Sequence, residues 1–412
     1  MTRAFTTRAA GTLAVAFALG LHGGGLSAQE PIVPVAATGA DTPPLASDAG
    51  SWPMFRGGPT QTGLAGGSLP EKLEIVWEKE LGDSVDVTPA IVEGRVYATA
   101  LEGDFYCLSL TTGEKLWTHV LPEDAGYKIP VTSSPTVAEG RVYFGDEDGR
   151  LTALDAETGE KRWEFATAGE ILSSPVVEGS RIVFGSYDGS VYCLAHADGT
   201  LVWKVETDGK IHASPSIAAG KVLVAGCDET LHVLSIEDGK SMSRLSLGSP
   251  SGSSSAIMGS RVFVGTYGNH VIGADWKESK ILWVYEHPDR QFPFVSSPAL
   301  SGKAVVIGGR DKMIHALDAE TGRALWTFST KARVEASPVI VGKRVFVGSY
   351  DGRLYELDLD TGKETWSLET GGPVHSSPAV VEGKLVFGSG SGVLFCLGAG
   401  DVTGRKVEEK RR

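Results

Sequence analysis

The sequence predicts an all-β fold, an eight-bladed β-propeller with four antiparallel strands per blade. Two periodic anchors and a regular series of turn signals predict it. The first anchor is a hydroxyl residue and a proline ahead of a valine-rich run. It occurs at Thr88-Pro89, Ser134-Pro135, Ser174-Pro175, Ser214-Pro215, Ser297-Pro298, Ser337-Pro338 and Ser377-Pro378. Ser254-Ser255 fills the one gap, without the proline. Successive anchors are 46, 40, 40, 40, 43, 40 and 40 residues apart. The second anchor is tryptophan, at Trp77, Trp117, Trp163, Trp203, Trp283, Trp326 and Trp366, with Ser243 where an eighth belongs. The length of 412 residues alone implies two or three domains. Two anchors that agree on eight units override that reading, because stacked repeats close into one body.

Each unit divides into four short strands. In the third, Ser-Pro-Val-Val opens strand A at Ser174, and residues 181–185, 190–194 and 200–204 form strands B, C and D. Glu-Gly, Asp-Gly and Thr-Gly pairs separate them, and such pairs suit tight hairpins because glycine tolerates positive φ. β-Branched and aromatic residues alternate, and no segment keeps a helical period. At the ends, residues 73–81 form a D strand ahead of the first A strand, while the last unit stops after strand C near Leu397. The N-terminal strand is therefore expected to complete blade 8, which removes the open edges of an unclosed sheet.

The flanking segments read differently. Arg3 and Arg8, the apolar run 11–21 and the small residues before Ala28 form a secretory signal over 1–28. The apolar run is short for a membrane span. Residues 29–72 read as a flexible linker, interrupted by a docking segment from Trp52 to Arg56; the propeller covers 73–400 and a charged tail 401–412. Localisation is expected to be exported, in the periplasm or cell envelope, and the chain to be a monomer. Cys107, Cys193 and Cys396 share one repeat position, held elsewhere by Ala153 or Ala316, so cysteine acts there as a small apolar residue rather than a disulfide partner. With 51 acidic against 38 basic residues, the net charge of −13 speaks against nucleic acid.

The segments Asp155-Ala-Glu-Thr-Gly159-Glu-Lys-Arg-Trp163, Asp318-Ala-Glu-Thr-Gly322-Arg-Ala-Leu-Trp326 and Asp358-Leu-Asp-Thr-Gly362-Lys-Glu-Thr-Trp366 resemble the tryptophan-docking motif of the quinoprotein-type, BamB-like propellers. The resemblance spans about residues 73 to 400. It implies that the seven tryptophans are structural and pack between neighbouring blades. Ser243 then leaves blade 4 without its wedge, and that junction is expected to be the weakest. For function the resemblance implies two readings, since the family divides between scaffolds and enzymes. One is a non-catalytic scaffold that assists outer-membrane protein assembly. The other is an oxidoreductase that binds pyrroloquinoline quinone with calcium. Family members that bind the quinone often carry a disulfide of adjacent cysteines, and no two cysteines are adjacent here. Calcium takes six to eight oxygen ligands, and the chain has one asparagine, Asn269. No catalytic residue carries over, and no cofactor is expected. Scaffold members are usually anchored through an N-terminal cysteine, which this sequence does not show near its start.

Comparison of the repeats gives two candidate sites. Three residues before each anchor proline stand Asp86, Thr132, Leu172, His212, Gly252, Val295, Glu335 and His375, whereas flanking positions are uniform. Units 7, 8 and 1 are neighbours in a closed ring, so Glu335, His375 and Asp86 form a candidate metal or polar-ligand site. The bland reading is a hydrated channel rim. The second candidate is a protein-binding face. Two D-to-A connections, 122–130 and 286–294, are longer than the rest. They supply Tyr127, Lys128, Arg290, Phe292 and Phe294, residue types that anchor interfaces. Asp146 and Asp148 lie in a charged hairpin turn, without the ligand spacing of a calcium loop.

Overall fold

A computed structural model describes residues 43–101, 103–124 and 126–400. The expected signal, the linker up to residue 42 and the charged tail lie outside the described residues. The expected ring is present. Blades 1 to 7 occupy residues 90–119, 136–166, 176–206, 216–246, 256–285, 299–329 and 339–369. Each is a meander of four antiparallel strands in sequence order, A innermost. In blade 8 the strands Ala379–Val381, Lys384–Gly388 and Val393–Gly398 are completed by Glu74–Glu80, which pairs antiparallel with Val393–Gly398. The N-terminal strand closes the ring, as the sequence predicts.

Burial explains the pattern of each strand. In blade 3, strand B (Arg181–Ser186) and strand C (Ser190–Ala195) are buried on both faces, because neighbouring blades cover them. Their apolar runs are accordingly continuous. Strand D (Leu201–Glu206) lies outermost and alternates between exposed and covered residues. Every C–D pair carries a register shift beside the docking position, as between Cys193 and Leu194. A bulge of this kind re-aims a side chain, and here it stands next to the tryptophan. In every blade with a docking tryptophan except blade 7 the residue opposite the indole is small; Cys107 faces Trp117, Ala153 faces Trp163, Cys193 faces Trp203 and Cys396 faces Trp77. This is why cysteine and alanine exchange at one repeat position. The cysteines are free thiols, and burial pushes Cys107 up to about 11 and Cys193 and Cys396 to about 12.

The docking tryptophans join each blade to the next. The indole N–H of Trp77, Trp117, Trp163, Trp203, Trp283 and Trp326 donates to Leu110, Ala156, His196, Ile236, Ala319 and Leu359 carbonyls of the following blade, at 2.8–3.2 Å. The Thr-Gly turns, and the Asp-Gly turns of blades 3 and 4, supply the other half. A Cβ at Gly113, Gly159, Gly199, Gly239, Gly322 or Gly362 would stand 2.5–2.9 Å from the indole of the preceding blade. Only glycine lets the turn lie flat on the ring.

A second clasp runs round the channel, and sequence reading saw it only as a marker. The amide of Thr88 donates to Ser134 Oγ, Ser134 to Ser174, Ser174 to Ser214, Ser214 to Ser254, Ser254 to Ser297, Ser297 to Ser337, and Ser337 to Ser377, at 2.8–3.0 Å. The anchor hydroxyl is a blade-to-blade bond.

The stretch expected to be a flexible linker is different in its described part. Trp52, Met54, Arg56 and Gln61 are buried. Inner strands present an unpaired edge to the channel, and buried amides need partners. The carbonyls of Trp52, Pro53, Pro59, Thr60, Thr62 and Gly63 accept the N–H of Ile91, Val137, Ile217, Ile257, Leu300 and Ile340, at 2.7–2.9 Å. Leu64–Ala65 then adds a parallel strand to blade 7. The segment is a plug that satisfies the inner edges of six blades. Two residues before each of these amides on the same edge stands the anchor position, and proline there has no N–H to leave unpaired.

Candidate functional site

The plug lies along the inner strands, and the connections that lead into those strands surround the mouth of the channel. Two repeat positions build its rim. The first is the residue three before the anchor proline. The second is the residue that leads out of strand B or follows it closely. In every blade the N–H of this second residue donates to the carbonyl five residues before the anchor position: Leu101 to Ser84, Glu147 to Pro130, Tyr187 to Glu170, Cys227 to Lys210, Tyr267 to Pro250, Arg310 to Pro293, Tyr350 to Arg333 and Gly390 to Pro373, at 2.6–3.1 Å. This fixed backbone bond sets both side chains at the rim, while their identities vary freely.

The two positions interlock across blade boundaries. Tyr187 of blade 3 is bonded to His212 Nδ1 of blade 4 at 2.7 Å, and Lys210 stands 4.5 Å above the Tyr187 ring. Arg310 of blade 6 donates through Nε to Glu335 of blade 7 at 2.6 Å. Tyr350 of blade 7 packs on His375 of blade 8 with ring centroids 3.8 Å apart. Tyr350 also donates to Glu335 at 2.7 Å and carries the Arg333 guanidinium at 3.8 Å from its centroid. Burial raises the phenols of Tyr187, Tyr267 and Tyr350, so they are neutral hydrogen-bond donors. Burial also lowers His212, with Arg310 adding to the effect, and lowers His375 against the opposing pull of Asp86 and Glu335.

Glu335, His375 and Asp86 are the candidate metal or polar-ligand site of the sequence. Glu335 and Asp86 do surround His375 electrostatically. The carboxylate of Glu335 is taken, however, by Arg310, Arg333 and Tyr350. Asp86 accepts from Ser84. Among the described residues no three of His, Cys, Asp or Glu are grouped so that they would hold a metal ion. The donor set does not fit calcium, which takes six to eight oxygens; the rim carboxylates are committed to cations and hydroxyls.

The interface candidates separate into three kinds. Phe292 is 49% exposed, and Arg290 lies beside it, donating to the Asp311 carbonyl at 2.9 Å. Lys128 pairs with Asp104 at 2.9 Å and Glu123 at 3.2 Å, next to Tyr127 in a short hairpin of Glu123–Asp124 and Tyr127–Lys128. Phe294 is a correction. It is 1% exposed and packs against Tyr285 and His315 in the core between blades 5 and 6. The repeats explain why. Phe294 stands four before its anchor proline, where Val85, Val131, Ile171, Ile211, Val334 and Val374 are also buried. Sequence reading missed Tyr187, Tyr267, Arg310 and Tyr350, because their position varies as much as the rim position that was noticed. Aligning the residue after strand B would have found them.

Comparison with known proteins agrees with this geometry. A family model described as outer membrane protein assembly factor BamB matches residues 71–170, 102–254, 187–312 and 290–409, which together cover the propeller. The chain belongs to this BamB-type family. No curated protein matches the chain. Among solved structures, BamB from Moraxella catarrhalis is 20% identical and superposes with a TM-score of 0.68 over 80% of this chain and 100% of that one. Quinohemoprotein alcohol dehydrogenase from Comamonas testosteroni is 15% identical, with a TM-score of 0.73 over 86% and 82% of the two chains. A europium-containing methanol dehydrogenase is 13% identical, with a TM-score of 0.70 over 85% and 98%. At these identities the likeness shows the shared propeller and leaves the function open between the two kinds.

Proposed function

We propose that this BamB-type propeller is a non-catalytic exported scaffold of the cell envelope. It holds a protein partner on the face where the channel opens, in the manner of an outer-membrane assembly factor. One observation carries the reading. The open rim gathers Tyr187, Tyr267 and Tyr350 with Lys210, Arg310 and Arg333, and exposed Phe292 and Arg290 lie on the same blades 5 and 6. Tyrosine and arginine are the residues that most often anchor interfaces. The family match and the N-terminal sequence support placement in the envelope. Among the described residues no helix is long and apolar enough to cross a membrane.

A photoreactive amino acid at Phe292 tests this in cells. It is expected to capture a component of the outer-membrane assembly machinery, identified by mass spectrometry, while the same probe at exposed Met242 on the outer edge of blade 4 does not. Equal capture at both positions, or none at Phe292, overturns the assignment of the face. The quinone reading is tested in parallel. Saturable, calcium-dependent quenching of tryptophan fluorescence by pyrroloquinoline quinone would replace the scaffold with a quinone-binding protein.

A further inference from the structure

We propose that the surface round Trp366, between blades 7 and 8, is a cradle for a Thr-Gly turn, and that residues 401–405 of this chain (Asp-Val-Thr-Gly-Arg) fill it. The other junctions define what the cradle takes. Six docking indoles are each covered by a turn of the next blade, with a glycine on the ring and a carbonyl on the indole N–H.

At the last junction no such turn exists within the sheet. Blade 8 takes its D strand from Glu74–Glu80, so nothing links strand C to strand D. Among the described residues the indole bond made by the other six is not seen for Trp366. Instead Trp366 lines an open cavity of about 390 Å³ with Lys72, Leu73, Arg344 and Glu356. Glu356 stands opposite Trp366 where other blades carry a small residue, and its carboxylate is held by Arg344 at 2.7 and 2.9 Å.

The chain leaves the sheet at this place. Gly398 pairs with Glu74, and a Cβ on Gly400 would stand 2.2 Å from the Glu74 carboxylate. Glu74 in turn holds Lys72 at 2.6 Å, on the wall of the cavity. Twelve residues follow Gly400. Their first five repeat the order acid, threonine, glycine, base of Asp318, Thr321, Gly322, Arg323 and of Asp358, Thr361, Gly362, Lys363, shortened by one residue. The tail thus has the length, the position and the turn residues to cover Trp366.

The test compares the full chain with one ending at Gly400, each with Trp366 or Trp366→Phe and Trp366→Ala. The shortened chain is expected to melt about 2 °C or more below the full one, the shift of a small loss in a body this large. Gly404→Leu in the full chain is expected to reproduce most of that shift, because a side chain there meets the indole. Lys406→Ala is expected to leave it unchanged. Amide exchange in Glu364–Glu369 is expected to quicken several-fold on shortening. In the Trp366→Ala background shortening is expected to have no effect. Unchanged melting and exchange in both the shortened chain and Gly404→Leu overturn the proposal, as does a shortening effect that persists without the indole. A full chain that dimerises while the shortened one is monomeric overturns the assignment within one chain, because the tail then docks on a second copy.

Discussion

The junction between blades 3 and 4 and the junction between blades 4 and 5 solve one packing problem from opposite sides. In the first, Trp203 of blade 3 lies on Gly239 of blade 4, donates to the Ile236 carbonyl at 2.8 Å and faces the small Cys193 on its own sheet. In the second, Ser243 stands where the tryptophan belongs, and the larger Val233 faces it. The blade 5 turn has changed to match. Trp276 stands where five other turns have alanine, leucine or isoleucine and blade 3 has His196, and Ser279 replaces the glycine while keeping a left-handed φ of 53°. Trp276 is buried in the core cluster shared by blades 4 and 5, with its indole N–H on the Gly259 carbonyl at 3.1 Å. The gap expected from Ser243 is therefore filled. A junction needs a wedge of aromatic volume; the strand that supplies it is secondary.

The largest effects test that equivalence directly. Trp203→Ala removes a buried indole and is expected to cost about 3–5 kcal/mol. Trp276→Ala is expected to cost about as much by the same cavity argument, although no docking motif marks that residue. Chemical denaturation of the two variants side by side is the measurement. A cost below about 1 kcal/mol for Trp276→Ala, the level of an ordinary surface change, would mean that Trp276 is no wedge and that this junction is held by other means.

A smaller and more specific effect comes from restoring the motif. Ser243→Trp alone adds an indole to a junction already occupied, and overpacking of this kind costs about 1–3 kcal/mol. Combined with Trp276→Ala and Ser279→Gly, the same change is expected to be close to neutral, because the turn then again offers a flat glycine. Such strong non-additivity is expected only for residues that share one space. Additive losses in the triple variant would show that Ser243 and Trp276 do not occupy the same gap.

The ring was legible because its signals repeat. Seven hydroxyl-proline pairs, an eighth site at Ser254-Ser255 and seven tryptophans cannot arise from unrelated segments, and residues 73–81 announced the closing strand. The plug was legible only as the short docking segment from Trp52 to Arg56, and its course along six blades was not. Its bonds to six blades run through its own carbonyl groups, which any sequence possesses, so Pro53, Thr60 and Gly63 show no pattern. Phe294 was legible in principle. The long loop before it masks its role, although its place four before the proline is a core place in six other units. The rim is intermediate. Its backbone frame is fixed in all eight blades, while the side chains that give it chemistry, such as Arg310 on Glu335, follow no repeat. Repeats reveal what the units share, and a binding site is made where they differ.

The smallest expected effect is also the one shared by both junctions. Ser174 donates to Ser214 Oγ at 2.9 Å across the first, and Ser214 donates to Ser254 Oγ at 2.8 Å across the second. The hydroxyl clasp is thus unchanged where the wedge has been inverted. Ser214→Ala and Ser254→Ala each leave one buried amide without its acceptor, a loss of about 1–3 kcal/mol. Both serines keep a small exposed surface, 5% and 3%, so a channel water can take the place of the hydroxyl and hold the cost near the lower bound. The two variants are expected to lose equal stability, and amide exchange at Ser174 and Ser214 is expected to quicken equally. If Ser254→Ala proves far costlier than Ser214→Ala, the second junction leans on its clasp because its wedge is weaker. The two junctions would then differ in strength, and inversion of the wedge would be an incomplete repair.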